Sequence, residues 1–575
     1  MNRLLRRDGD IFFPVALMAA LLAGLGLRAY LLADQVMIDD EWHGFYYALG
    51  KSPVWLLTHF SIPGATCIPL NFYTWLLGAC GGWSETLLRL PSLVCGVLCV
   101  AVCPLLARKI IGPRRAAWLA LLLAVSPILI FYSRLCRPYS AVAFLGFAAI
   151  LLAARWRQTG GFRPALGFAI AGVLAVYFHL FAAVTVAAPV LTAIIFELVA
   201  RFRKTPPSAV AGPSLWQWLL LAVLMAVAGA VLVLPALIDS MRSTFFTIAL
   251  AGSFKLESLP HLAMLVSGTS QPVLVLLFWL ALLVGAIELC RRHPWFGITL
   301  VSLYPLHALA LLLSRPDCSQ SAIVLARYCI PLVPVSLLFV ACGMQASLEF
   351  LATRVALRPA LQAVLAVAAL AALVFAGPLP QTYLAPNNFT NHGAYQHSYA
   401  PINWSRSFYS DLTPANFTLV TTVRVDEISP FYGQLAKTPN HRAIVEYPML
   451  IGDHFNPLYY YQHFHRRPVV VGYASDVKLA QGLASGNIFG NTYIDQVLSL
   501  VKTPARLRFR NFVSMDNLAA MRARNVEYII LHKHFEAQLP LVAPPPPDLD
   551  RLIREYQAKL GSPAYEDANL IAFQL

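Results

Sequence analysis

Charge is scarce in this chain. Asp, Glu, Lys and Arg make up 12% of its 575 residues, against ~25% in an average soluble domain, while 58% are hydrophobic and the mean hydropathy is +0.63. A water-soluble globular protein is excluded, and an integral membrane protein is left. Acidic residues are the scarcest charged class, 28 against 43 Lys and Arg, for a net charge of +15. The basic residues fall in short clusters between apolar runs, so the imbalance reads as membrane topology and argues against nucleic acid as a partner. There are ten cysteines, the last being Cys342, so no disulfide framework holds the C-terminal part. Cys95, Cys99 and Cys103 recur at helical spacing as small packing residues, and no spacing forms a metal motif. Cys67 and Cys80 are the one pair that could bridge on the outer side. No internal repeat is visible, which counts against a transporter built from repeated halves.

Eleven apolar runs have the length of a bilayer span: 11–33, 90–106, 116–132, 139–154, 164–177, 180–199, 215–238, 272–289, 295–313, 328–345 and 359–376. The first follows Arg3, Arg6 and Arg7 and outlasts the apolar core of a signal peptide, so it is read as an uncleaved anchor. The stretch 69–79 is short for a span and is expected to lie along the outer surface or to re-enter. With that choice, the clusters Arg108–Lys109, Arg114–Arg115, Arg155–Arg157–Arg163 and Arg201–Arg203–Lys204 fall inside. The N-terminus is then cytoplasmic in an inner or plasma membrane, and the first loop, 34–89, is outside.

Beyond Gly377 the composition turns polar, with Pro378, Pro380, Pro386 and Asn387–Asn388 marking a boundary. Strand-like runs at 417–425, 443–447, 468–472, 528–532 and 570–573 alternate with helical patterns at 429–436, 514–524 and 549–559. The expected architecture is a polytopic α-helical membrane part, residues 1–377, followed by an extracytoplasmic α/β domain, residues 378–575.

Against so little charge, the consecutive acids Asp39, Asp40 and Glu41 just beyond the first apolar run stand out. Carboxylates beside a bilayer are costly to desolvate, which points to work done there. Reading this as a solvated acidic turn that caps the next helix is the plain alternative. Five segments then follow in order. They are Asp40-Glu41, Ile68-Pro69-Leu70-Asn71-Phe72-Tyr73, Ser84-Glu85-Thr86-Leu87-Leu88-Arg89-Leu90-Pro91-Ser92, Tyr132-Ser133-Arg134-Leu135-Cys136-Arg137-Pro138-Tyr139 and Ala326-Arg327-Tyr328-Cys329-Ile330-Pro331. Together they resemble the GT-C superfamily of integral-membrane glycosyltransferases, in the bacterial branch related to protein O-mannosyltransferases and lipid A aminoarabinose transferases. The likeness covers residues 1 to about 345, and Asn525-Val526-Glu527-Tyr528-Ile529-Ile530-Leu531-His532 resembles the outer domain of such proteins.

The resemblance implies a polyprenyl-phosphate sugar as donor, transfer to a lipid, glycan or protein hydroxyl at the outer face, and inversion at the anomeric carbon. Asp40 matches the family's catalytic aspartate, with Asp39 as substitute. An acidic group in reach of the acceptor hydroxyl can take its proton. Glu41 could orient that base or hold a divalent ion with an imidazole, a metal being optional in the superfamily. The leaving phosphate needs fixed cations, for which arginine offers paired planar donors. Arg137, in Arg-Pro-Tyr, matches the family pattern, and Arg134 and Arg327 are further candidates, with snorkelling to lipid headgroups as the alternative for each. Tyr139, His179, His261 and Lys255 complete the expected pocket. The chain departs from the pattern at Cys67, where relatives often carry His or Glu, and at Leu135, where they often carry an acid. These departures keep open a catalytically inactive, saccharide-binding scaffold, beside the less favoured lipid-linked saccharide transporter.

Overall fold

The computed structural model describes residues 2–33, 35, 41–60 (apart from 42, 43, 46, 47 and 49), 67–202, 212–250, 256–316 (apart from 257), 322–355, 359–384, 429–450 (apart from 439, 441 and 448), 465–468, 509–510, 518–533 (apart from 524) and 549–575. Its first part is helical: α1 (Asn2–Ala29), α2 (Pro53–Thr58), α3 (Ile68–Ala79), α4 (Glu85–Ile111), α5 (Pro113–Val125), α6 (Pro127–Ser133), α7 (Tyr139–Thr159), α8 (Phe162–Phe178) and α9 (Ala182–Phe202). There follow α10 (Leu215–Leu250), α11 (Ser258–Ser267), α12 (Pro272–Arg292), α13 (Pro294–Ser314), α14 (Ala322–Tyr328), α15 (Leu332–Val355), α16 (Pro359–Phe375) and α17 (Leu379–Leu384).

Eight of these helices are long and apolar enough to cross a bilayer, and nine if α5 and α6 count as one broken span. α8 and α16 stand where spans were expected but have 17 residues each. The chain is a multi-pass membrane protein. Side chains such as Ile11, Leu220, Val273 and Phe375 are more than half exposed, which is unfavourable in water and expected against lipid. The expected single helix over 116–132 is in fact two, meeting at 58°. Ser126 is extended there, and Pro127 has no N–H to continue the ladder. α3, at 12 residues, reaches only about 18 Å, so it does not span. Its length also corrects the expected disulfide: Cys67 and Cys80 cap its opposite ends, far beyond the ~7 Å Cα limit of a bridge, and both are free.

The helices differ in how deep they sit. The spanning window of α7 is 78% buried, whereas those of α10 and α12 are 17% buried, so α7 forms the centre and begins directly after Arg137-Pro138. α12 and α15 touch backbone to backbone. A Cβ on Gly343 would stand 1.8 Å from Ala281 O, and one on Gly285 would stand 1.8 Å from Phe339 O, the small-residue packing that bilayer helices use. At one end of the bundle, Arg115 of α5 pairs with Glu288 of α12 (2.7 Å) and Glu349 of α15 (3.1 Å).

The C-terminal part holds α18 (Pro430–Lys437), β1 (Ala443–Tyr447), β2 (Met449–Leu450), β3 (Phe509–Arg510), α19 (Leu518–Ala523), β4 (Val526–His532), α20 (Leu549–Leu560), β5 (Tyr565–Glu566) and β6 (Leu570–Gln574). One sheet runs β1-β4-β6-β5, with β1 and β4 parallel and the remaining pairs antiparallel, and β2 pairs with β3. The parallel pair needs a crossover, which includes α19. Expected strands 443–447, 528–532 and 570–573 are present, and the run 417–425 lies outside the described residues. His532 pairs with the buried Glu446 (2.7 Å), which also accepts a bond from Tyr432 Oη.

Gly343→Ala forces α12 and α15 apart and is expected to cost about 1–3 kcal/mol, lowering the thermal unfolding midpoint. The control Gly229→Ala, where an added Cβ meets nothing within 4 Å, should leave the midpoint unchanged or raise it slightly.

Candidate functional site

The segment 134–138 between α6 and α7 is held from three sides by buried arginines and their partners. Arg89 and Glu41, both fully buried, form a two-pronged pair, Nε to Oε1 and Nη2 to Oε2, each 2.8 Å. The remaining capacity of both ions is used. Arg89 Nη1 donates to the carbonyls of Leu32 (3.2 Å) and Gln35 (2.8 Å), and Glu41 Oε1 accepts from Cys136 N (3.0 Å). Ser92 Oγ, one turn along α4, donates to Arg137 O (2.9 Å). The backbone on either side of the Cys136–Arg137 link is thereby fixed by α4 and by Glu41.

Arg134 and Arg28 complete the brace. Arg134 Nε donates to Gln35 Oε1 (2.9 Å) and Nη1 to Arg28 O (2.9 Å). Tyr383 Oη donates to the neighbouring Leu27 O. Arg28 in turn donates to Ala124 O and Leu123 O (2.9 Å each) and to Ser133 Oγ (3.2 Å). These carbonyls are left over where α1 ends and where α5 breaks, so a guanidinium there satisfies acceptors the helices cannot. Gly96 makes room for the brace: a Cβ there would lie 2.1 Å from Ser133 Oγ.

The side chain of Arg137 extends into an aromatic row. Its Cζ lies 5.8 Å from the Tyr139 ring, Tyr139 lies 6.0 Å from His179, His179 lies 6.1 Å from Tyr328, and Arg327 Cζ lies 5.4 Å from the Tyr328 ring. Phe181 packs on Tyr328 at 5.1 Å. His179, in the turn after α8, is buried, and its pKa falls from 6.5 to about 3 through burial first and then the charges of Arg327 and Arg137. Its imidazole is therefore neutral at any physiological pH, and Phe181 N donates to Nδ1 (3.3 Å).

Of the expected site residues, the structure brings Arg137, Tyr139, His179 and Arg327 into one cluster. Arg134 was expected at the headgroup layer but is fully buried with its guanidinium against helix-end carbonyls. Glu41 has its carboxylate committed to Arg89 and Cys136 N, so it is not presented to a metal. Among the described residues, no three His, Cys, Asp or Glu side chains could hold a metal ion together. His261 is half-buried on α11, which packs against α14, the helix whose last turn carries Arg327. Asp39, Asp40 and Lys255 lie outside the described residues. Arg28, Arg89, Gln35, Ser92 and Tyr328 were missed as contributors. The signal for the first two was a lone arginine in or beside an apolar run, which in a membrane protein must find acceptors.

No protein-family model and no curated protein matches the chain. Solved structures do. The apo crystal structure of ArnT from Cupriavidus metallidurans matches over 98% of this chain and 97% of its own, with TM-score 0.52 at 14% identity. The chain shares the fold of that structure. The same ArnT bound to undecaprenyl phosphate matches over the same shares at TM-score 0.49 and 16% identity. Archaeal oligosaccharyltransferase AglB from Archaeoglobus fulgidus, in complex with an inhibitory peptide and a dolichol-phosphate, matches over 91% of this chain and 69% of its own, at TM-score 0.43 and 14% identity. Among the described residues, segments 84–92, 132–139 and 326–331 come together around Arg137 and His179.

Opening the Glu41–Arg89 pair leaves a buried charge alone. Glu41→Gln and Arg89→Gln should each cost about 3–5 kcal/mol. The double variant should recover part of the loss, and a double-mutant cycle on thermal unfolding measures it. Strictly additive losses would show that the two side chains do not act as a pair.

Proposed function

We propose that the chain is an inverting glycosyltransferase that moves a sugar from a polyprenyl-phosphate donor to an acceptor hydroxyl at the outer face of the membrane. One observation carries this reading: two arginines from distant segments, Arg137 and Arg327, flank a neutral imidazole, and the backbone of the first is fixed by the residue that follows Asp40. Residues 1–377 are taken as the membrane-embedded transferase part and 378–575 as the outer domain, with the N-terminus cytoplasmic.

Asp40, by this reading, accepts the proton of the acceptor hydroxyl. The hydroxyl oxygen attacks the anomeric carbon from the face opposite the phosphate, the C1–O bond to phosphate breaks, and the electron pair leaves with the polyprenyl phosphate. Negative charge grows on that phosphate as the bond opens. Arg137 and Arg327 would bind that phosphate through their guanidinium groups, which offer paired planar donors to the growing charge. His179 is neutral and offers hydrogen bonding without further positive charge. Tyr328, half-buried beside Arg327, would offer a flat face to one side of a sugar ring. Glu41 acts as a positioning residue through Arg89 and Cys136.

Transfer is tested with a panel of polyprenyl-phosphate sugars carrying a labelled sugar, using full-length protein in lipid nanodiscs. Asp40→Asn should lower turnover by about 10²–10⁴, and Arg137→Ala by about 10²–10³, each with the unfolding midpoint preserved. An Asp40→Asn protein of normal activity overturns the mechanism. A wild-type protein that binds donors and turns none over supports the scaffold reading instead.

A further inference from the structure

A groove of about 700 Å³ runs between α8 and α10 and is lined at one end by Trp156 of α7 and the following Gly160. Phe162, Leu166, Ile170 and Leu174, spaced four apart, form one wall, and Leu220 and Leu224 form the other. It is hollow because Ala169 and Ala228 leave space that longer side chains would fill. Gln217 is its one polar side chain, and its Oε1 is used by Ser214 N (2.7 Å), so the group it offers is its amide donor. From Phe162 to Leu174 the groove extends about 18 Å along α8. That is close to one leaflet, half of a hydrocarbon core of about 30 Å. It ends five residues before His179, so its Trp156–Gly160 end lies at the opposite end of α8 from the Arg137–His179–Arg327 cluster.

The Trp156–Gly160 end is cationic. Arg157 lies in the last turn of α7, and the exposed Arg163 lies in the first turn of α8. The position of Arg157 is set by the chain leading into α10, since a Cβ on Gly212 would meet Arg157 Nη1 at 2.5 Å and Arg157 O at 3.1 Å. Beneath it the buried rings of Trp156, Trp218 and Trp295 pack in series, tilted to one another, with centroids 4.3 and 5.7 Å apart. No Asp or Glu occurs between Glu85 and Glu197, nor between Glu197 and Asp239. Nothing in the segments that build the groove neutralises its arginines.

We propose that this groove is a binding site for one anionic diacyl phospholipid, its acyl chain between α8 and α10 and its phosphate at Arg157, Arg163 and the Gln217 amide. A leaflet-length apolar slot fits a chain inserted from that surface, and a mouth made only of donors selects a headgroup with net negative charge. The site is separate from the proposed transfer site, because the headgroup end faces away from His179.

The test is native mass spectrometry of full-length protein in detergent, with equal amounts of phosphatidylglycerol and phosphatidylcholine bearing identical acyl chains. One phosphatidylglycerol should be retained in preference. The double variant Arg157→Ala/Arg163→Ala, which alters the groove's charged end, should lower that retention about tenfold, as expected for losing charge-assisted contacts. Ala169→Phe, which fills the groove and leaves the arginines, should abolish it while the unfolding midpoint stays near wild type. Equal retention of the two lipids overturns the proposal, as does retention unaffected by the arginine variants. Displacement of phosphatidylglycerol by an equal amount of undecaprenyl phosphate also overturns it, since the groove would then belong to a polyprenyl chain.

Discussion

Two ions with no access to water, Glu41 and Arg89, determine where the rest of the site can be. Burying both is expensive, and their attraction compensates only when geometry and the remaining hydrogen bonds are complete. Here both prongs are 2.8 Å long, Arg89 caps two further carbonyls, and Glu41 takes the Cys136 amide. A pair so enclosed is a locating device: it fixes Glu41, the start of α4 and the segment before α7 relative to one another. Arg137 inherits its position from that join.

The two ends of the bundle are built on different electrostatic plans. Arg115, Glu288, Arg292 and Glu349 form a shared network in which each cation meets an anion. At the other end, Arg28 and Arg134 bind neutral carbonyls, while Arg137 and Arg327 stand in an aromatic row beside a histidine that their own charges help keep neutral.

Much of this was legible in the sequence where the signal was local. Apolar runs marked the helices, and Arg137-Pro138-Tyr139 and Arg327-Tyr328 lay in segments whose order resembled a known superfamily. What could not be read was pairing over distance. Nothing local joins Glu41 to Arg89 across 48 positions, and Arg134 looked like a headgroup ligand because the carbonyls it satisfies belong to α1. The break at Ser126–Pro127 was misread because hydropathy is blind to a missing N–H. His179 could be placed only between two helices, and its neutrality depends on two arginines that the fold, not the sequence, brings near.

The account stands or falls on whether Arg137 and Arg327 serve one phosphate. A cryo-electron microscopy structure of the full chain with an added polyprenyl phosphate tests this most directly. The account predicts the phosphate within hydrogen-bond reach of both guanidinium groups, beside His179, with the Glu41–Arg89 pair intact. A phosphate seated away from both, or the two arginines opening onto different cavities, would contradict it.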